Sequence, residues 1–198
     1  MMNGFVNNSP NFHQYTQMGE CEEPFVLGKP HPCAGADFIE WGSGPSGWLY
    51  KYQMIGLKSQ ISGGEVQLTY YGKRFDITTD FSFVRGIDTS NQNYLPYMPA
   101  DKMKILFSTK SNQDLTGTLG FTKGFRQNRI SEFETITPGY FLVDIFGSYS
   151  FNAFNSSHRL IFQLNNLLDE TYYNHLSKIK LIMPESGRSI SFQYRYLF

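Results

Sequence analysis

The sequence predicts an all-β chain: an antiparallel transmembrane β-barrel segment of about eight strands, with short periplasmic turns and long extracellular loops. Three observations carry this. Period-2 alternation of apolar and polar residues recurs along the chain, while helical periodicity is nearly absent. Aromatic residues make up 17% of the 198 residues, with 18 Phe and 13 Tyr, yet the mean hydropathy is negative. That pairing suits strands with one apolar and one polar face. Finally, the connections alternate between short and long, as they do in outer-membrane barrels.

Taken in order, residues 1–7 read as the end of a strand, followed by a long link over roughly 8–47. A run from about Trp48 to Tyr71 sets Val66, Leu68 and Tyr70 against Glu65, Gln67 and Thr69. Next, Phe75, Ile77, Thr79, Phe81 and Phe83 oppose Asp76, Thr78, Asp80 and Ser82. Met103, Ile105, Phe107 and Thr109 oppose Lys102, Lys104, Ser108 and Lys110. Leu115, Gly117, Leu119, Phe121 and Phe125 face away from Thr116, Thr118, Thr122 and Arg126. Phe141, Val143, Ile145, Tyr149 and Phe151 oppose Asp144, Ser148 and Ser150, and Leu160, Phe162 and Leu164 oppose Arg159 and Gln163. The last strand sets Ile190, Phe192, Tyr194, Tyr196 and Phe198 against Ser191, Gln193 and Arg195. Tight polar turns fall at 71–74, 111–115 and 152–157, with long links at about 87–101, 127–138 and 166–187.

A soluble sandwich would also alternate, its ring face packed on a second sheet. The gathering of Tyr70, Phe75, Tyr149 and Phe151 at strand ends favours the membrane, where such rings form an interfacial girdle. Strands of about 10 residues, tilted, cross a bilayer core. Two outward cations, Arg85 and Lys123, fall toward the long-loop ends, where lipopolysaccharide phosphates are within reach and snorkelling costs little.

Bulk properties exclude other classes. The formal charge is zero and the pI is near neutral, so no nucleic-acid partner is expected. No run approaches the 18 or so apolar residues of a transmembrane helix. The first residues carry no basic and apolar secretory signal, so an exported chain would need one upstream. Cys21 and Cys33, in a Gly/Pro-rich stretch, read as a disulfide of an oxidising compartment. The neighbouring His13, Glu20, Glu22, Glu23 and His31 keep a metal-capture site open, although the spacing fits no zinc pattern. Otherwise no resident cofactor is expected.

The final third, "NNLLDETYYNHLSKIKLIMPESGRSISFQYRYLF", resembles the closing segment of TonB-dependent outer-membrane receptors. The matching positions are Asn166, Leu167, Asp169 and Tyr172 at the end of the penultimate strand. Pro184, Gly187, Arg188 and the terminal Phe198 match the opening and the end of the last strand. Upstream, "SGGEVQLTYYGKRFDITTDFSFVRG", "YLPYMPADKMKILFS" and "TPGYFLVDIFGSYSF" resemble earlier strands of the same family. The resemblance covers roughly 47–198 and divides the chain there. Residues 1–46 are a strand end and a long extracellular loop, and 47–198 are C-terminal barrel strands.

The resemblance implies a barrel of about 22 strands, of which this chain supplies the C-terminal part. It implies the bacterial outer membrane, with lipid and lipopolysaccharide as surroundings. The aromatic ending Tyr194, Tyr196 and Phe198 would be read by the barrel-assembly machinery. The implied function is uptake of a ferric siderophore or another scarce metal complex, powered by the TonB energy-coupling protein. Plug domain and coupling box are absent from this chain, so that contact would run through an N-terminal part. Zinc, copper, haem or cobalamin are alternative cargoes of the same class, and a self-contained small barrel is a structural alternative. An enzyme is not expected. His158 and His175 lie near Ser156, Ser157 and Ser177, but no Gly-x-Ser-x-Gly elbow accompanies them.

Overall fold

A computed structural model describes residues 1–18, 38–40, 48–109, 114–131 and 134–197. The strands are β1 (Met2–Gln17), β2 (Phe38–Glu40), β3 (Trp48–Tyr50), β4 (Tyr52–Tyr71), β5 (Phe75–Asp88), β6 (Lys102–Thr109), β7 (Leu115–Gly124), β8 (Tyr140–Ala153), β9 (Ser156–Asn165) and β10 (Ser189–Leu197). Eight of them form one antiparallel sheet in the order β1-β4-β5-β6-β7-β8-β9-β10, and β2 pairs with β3 separately. Each long strand therefore pairs with the next one along the chain, through short turns at one end of the sheet and long loops at the other. β1 and β10 are the two ends of the sheet, and each is paired on one side only. A closed eight-stranded barrel would pair them with each other. The self-contained small barrel is therefore not the arrangement seen.

Register fixes the faces, because residues directly opposite across a ladder share one side. Val66 faces Phe81 and Leu68 faces Thr79, while Glu65 faces Ser82 and Gln67 faces Asp80. Lys104 lies opposite Asp80 and Thr122, and Arg159 opposite Ser150 and Arg195. The polar face is stitched sideways by hydrogen bonds. Gln67 Nε2 donates to Asp80 Oδ1 at 2.8 Å, Thr116 and Ser148 hydroxyls meet at 2.9 Å, and Arg159 donates to Ser148 at 3.1 Å. The other face is a ribbon of rings. Phe107 meets Phe121 edge-on at 5.9 Å, Phe121 stacks on Phe141 at 6.1 Å, and Tyr149 stacks on Phe151 at 5.6 Å. Most of these rings stay exposed.

The outer edge of the sheet is a staircase. β4 is 20 residues long, about 65 Å at the usual rise per residue, against eight residues for β6. Asp88 at the top of β5 pairs with Ser59, so β4 above that point is paired only with β1. This extends β1 to Gln17, ten residues beyond the strand end expected from alternation alone. The reason is a register shift between Ser9 and Phe12. Before it, Phe5 and Asn7 share the polar face; after it, Phe12, Gln14 and Thr16 do, so no single period-2 pattern runs through. Pro10, with no N–H to donate, is tolerated there because it falls within the register shift, where the ladder is interrupted.

The short connections lie at the opposite end. Phe154 and Asn155 form a two-residue hairpin turn with φ of 50° and 56°, between the paired Ala153 and Ser156. Both central residues are left-handed, as a type I′ turn demands, and Phe is poorly suited to that conformation. Phe154 is 95% exposed and packs on nothing that would be lost. We expect Phe154→Asn to stabilise the protein by about 1 kcal/mol, read as a higher urea midpoint in detergent.

Candidate functional site

Two fully buried side chains, Leu95 and Gln127, lie in the long loops at the end of the sheet where β5 finishes and β6 begins. Leu95, fully buried, rests on Gly86 and donates its N–H to the Gly86 carbonyl at 3.0 Å. A side chain at 86 would collide with Met98 Sδ and Leu95. Gln127, also fully buried, donates through Nε2 to the carbonyls of Met98 and Pro99 at 2.9 and 3.0 Å. Its Oε1 accepts the Arg129 N–H at 3.2 Å. One amide side chain thus joins the loop after β5 to the loop after β7.

Glu134 joins three loops. Its carboxylate accepts the backbone N–H of Tyr97 at 2.8 Å and of Ser131 at 3.0 Å. It also lies 3.3 Å from Nε2 of His175, which sits in the loop after β9. Both side chains are nearly inaccessible, at 7% and 1%. On its other side, His175 Nδ1 meets the Thr137 hydroxyl at 2.8 Å and Lys180 Nζ at 3.2 Å. An ammonium only donates, so Nδ1 is the acceptor and Nε2 carries the proton toward Glu134. The carboxylate is out of line with that N–H, so the contact is electrostatic rather than a well-formed hydrogen bond. Lys180 also donates to the Thr135 carbonyl at 2.7 Å and to Thr137 Oγ1 at 2.9 Å.

Burial pushes the His175 pKa below its usual value, and the Lys180 charge pushes it the same way against the pull of Glu134. The neutral imidazole is the form this pocket holds. A folded-state pKa below the unfolded value of 6.5 gives stability that is whole above pH 6.5 and lost as pH falls below it. Protection of the loop amides, with exchange corrected for its intrinsic pH dependence, should therefore fall on acidification from pH 7, and His175→Gln should flatten that dependence. An unchanged pH profile in the variant would contradict the assignment.

Thr137, His175 and Glu134 have the order of a hydroxyl–imidazole–carboxylate relay. Chemistry is not what the arrangement provides. Thr137 and His175 are buried, and the imidazole lone pair that would act as base is shared with an ammonium donor. His158 is no better placed. Its Nε2 donates to the Ala153 carbonyl at 3.1 Å and its Nδ1 takes the Tyr194 hydroxyl at 2.7 Å. The ring stacks on Phe151 at 4.8 Å, and Ser156 is bonded to Tyr196 instead.

The family-like residues of the last loop form a latch. Asn166, buried and at φ 53°, exchanges two hydrogen bonds of 2.9 Å with the backbone of Glu170. Its own N–H donates to Asp144 Oδ1, and the Leu167 N–H to the Val143 carbonyl, tying the strand end to β8. Asp169, also left-handed, accepts the Arg188 N–H at 2.9 Å and faces its guanidinium at 3.5 Å. That backbone bond and the nearby positive charge hold the Asp169 pKa below the usual carboxylate value. A side chain at Gly187 would come within 3.1 Å of the same carboxylate. Tyr172 packs on Tyr140 at 4.7 Å, and its carbonyl accepts the Glu185 N–H next to Pro184. The two ends of the loop are thus pinned together at the base.

Of the remaining expected residues, Tyr194 and Tyr196 lie on the ring face opposite Leu160 and His158. His13 is on the ring-face side of β1, opposite Gly56, above the part of the sheet that β5 reaches. Cys21, Cys33, Glu20, Glu22, Glu23, His31 and Phe198 lie outside the described residues. Among the described residues no three His, Cys, Asp or Glu side chains gather as a metal site. Arg85 differs from expectation as a free cation for lipid phosphates. Asp101 takes both of its terminal nitrogens at 2.5 and 2.7 Å and also accepts from Arg129 at 3.2 Å. Burial raises the Asp101 pKa, but the two guanidiniums more than reverse this and hold it below the ordinary value. Lys123, next to the last residue of β7, remains exposed.

No family model matches the chain. A solved structure does: the chain superposes on part of a protein named "Copper transporter OprC", with 17% identity and a TM-score of 0.72. The match covers 99% of this chain and 28% of that one. The fold is that of part of a TonB-dependent receptor barrel.

Proposed function

We propose that the chain is the C-terminal barrel portion of a TonB-dependent receptor in the bacterial outer membrane, serving uptake of a ferric siderophore or another scarce metal complex. The observation that carries this is the open eight-stranded sheet, with rings on one face and a hydrogen-bonded polar face capped by interlocked outer loops. In the resembling family, outer loops and a plug capture the complex, and force from the inner membrane shifts the plug. This chain supplies barrel wall and outer loops. Glu134, Gln127 and the Asn166 latch hold those loops in one shape, which lowers the ordering cost when a ligand binds. Tyr194, Tyr196 and Phe198 form the aromatic ending that the barrel-assembly machinery reads.

The test is radio-iron uptake by iron-starved cells with and without the gene, from a panel of ferric catecholates and hydroxamates. Loss of uptake from one of them supports the reading. Equal uptake of every complex by both strains overturns the siderophore assignment. The name of the copper transporter that shares the fold makes a copper-bearing cargo the second reading. Imidazole and carboxylate suit copper or zinc, and His13 with Glu20, Glu22, Glu23 and His31 would be the capture set, beside a Cys21–Cys33 disulfide. Replacing His13 and His31 by Ala should then weaken copper binding at least tenfold, measured by titration; unchanged affinity removes those residues from the account.

A further inference from the structure

A second feature of the outer end lies apart from the Glu134 cluster. The tall β1–β4 pair and the loop after β5 border a cleft of about 460 Å³ on the polar face of the sheet. That volume lies within the range of small-molecule sites. Gln14 and Thr16 line it from β1, Ile55 and Leu57 from β4, and Asn91, Asn93 and Tyr94 from the loop. Ser131 closes it from the loop after β7, within 3.5 Å of Gln14 Nε2.

The lining selects a ligand by what it offers. Among the described residues no Lys or Arg lines it, so they offer no positive charge to an anion. The carboxylate among them, Asp88, is buried and already occupied. Oδ1 accepts the Ser90 N–H and Oδ2 the Asn91 side-chain amide, both at 2.8 Å. With no His or Cys among the described lining residues, a copper or zinc ion finds no imidazole or thiolate there. What the cleft does present is planar amides and hydroxyls, groups that pair a donor with an acceptor, beside apolar surface and the half-exposed ring of Tyr94. Directly opposite Asp88 in the ladder, the Ser59 hydroxyl is buried on the same face without a hydrogen-bond partner. Such a group is an unmet polar site beside the cleft.

We propose that this cleft binds a neutral, hydroxyl-rich ligand, a saccharide of about two rings. The side-chain amides of Gln14 and Asn93 would hold vicinal hydroxyls, and the Tyr94 ring would carry the apolar face of a sugar. The site is independent of the metal-uptake reading, since the groups named here recognise hydroxyls rather than a metal held by a siderophore or by imidazole. The same sugar chemistry could come from a free oligosaccharide or from the core sugars of lipopolysaccharide.

The experiment is titration of the protein, purified from its own outer membrane in detergent, with maltose, cellobiose and chitobiose, and with the delipidated core oligosaccharide of the host lipopolysaccharide. Saturable binding of at least one probe is expected. Gln14→Leu and Asn93→Leu should each weaken it about tenfold or more, with the β-sheet circular dichroism unchanged. Binding of the disaccharides points to a free ligand, and binding of the core oligosaccharide alone points to the membrane's own sugars. Either supports the site. No saturable binding of any probe up to millimolar concentration, or binding that both variants leave unchanged, overturns it.

Discussion

Glu134→Ala should release the outer loops from one another. The carboxylate accepts two backbone N–H groups, from Tyr97 and Ser131, and faces the protonated nitrogen of His175. Truncation takes the acceptor from both N–H groups and removes the negative charge that faces His175. Each hydrogen bond to a charged acceptor contributes about 1.5–3 kcal/mol, so a local loss of about 3–5 kcal/mol is expected. Since about 1.4 kcal/mol is a factor of ten, amide exchange at Tyr97 and Ser131 should quicken on the order of a hundredfold or more. Amides in the centres of β6 and β7 should be unaffected, because the sheet ladder does not depend on the loops. Glu134→Gln keeps an acceptor oxygen and should lose less. Equal effects of Ala and Gln would show that charge alone matters and would contradict the hydrogen-bonding role given to this side chain.

The second large effect is expected at Gly124. Tyr140 lies directly opposite it in the β7–β8 ladder, and the tyrosine ring covers the glycine so closely that a Cβ there would overlap it. The ring cannot simply swing away, because its other side packs on Tyr172 at 4.7 Å. Gly124→Val must therefore displace Tyr140 and with it the base of the last outer loop. Overpacking of this kind costs about 1–3 kcal/mol or more, and here it also disturbs the register of β8. We expect a large fall in the urea midpoint and loss of heat-modifiable migration on gels. The double variant Gly124→Val, Tyr140→Ala should recover part of the loss, since it removes the clash itself. No recovery would place the damage elsewhere.

Much of the sheet was legible in the residues. Strict alternation from Phe75 to Leu197 assigned both faces of six strands, and cross-strand pairs such as Phe192 with Phe162 and Ser191 with Gln163 fall as alternation requires. β1 was cut short because the shift at Ser9/Phe12 reverses its phase, and the polar sequence "NNSPNFHQ" reads as loop unless its partner in β4 is known. The Asn166–Asp169–Arg188 latch was visible as a motif, since Asx residues at a strand end seek backbone donors. The Glu134–His175–Lys180 cluster was not. Its members come from loops about 40 residues apart, and loops carry no period that would align them. The single available signal was composition: a lone His in an outer loop, with a Lys five residues on. Equally, the nearness of His158 to Ser156 and Ser157 in sequence said little, because alternation and the turn send the imidazole to Tyr194 and Ala153.

The account rests on which face of the sheet meets lipid. Single nitroxide labels along β9 and β10, in protein reconstituted into bilayers, test this most directly. Labels at positions 160, 162, 164, 190, 192 and 194 should be relaxed by oxygen, which concentrates in lipid. Labels at 161, 163, 191 and 193 should be relaxed by a water-soluble nickel chelate instead. A clean two-residue alternation in that phase is the predicted result. The opposite phase, or uniform access of the nickel chelate to both sets, would contradict a membrane-spanning receptor barrel.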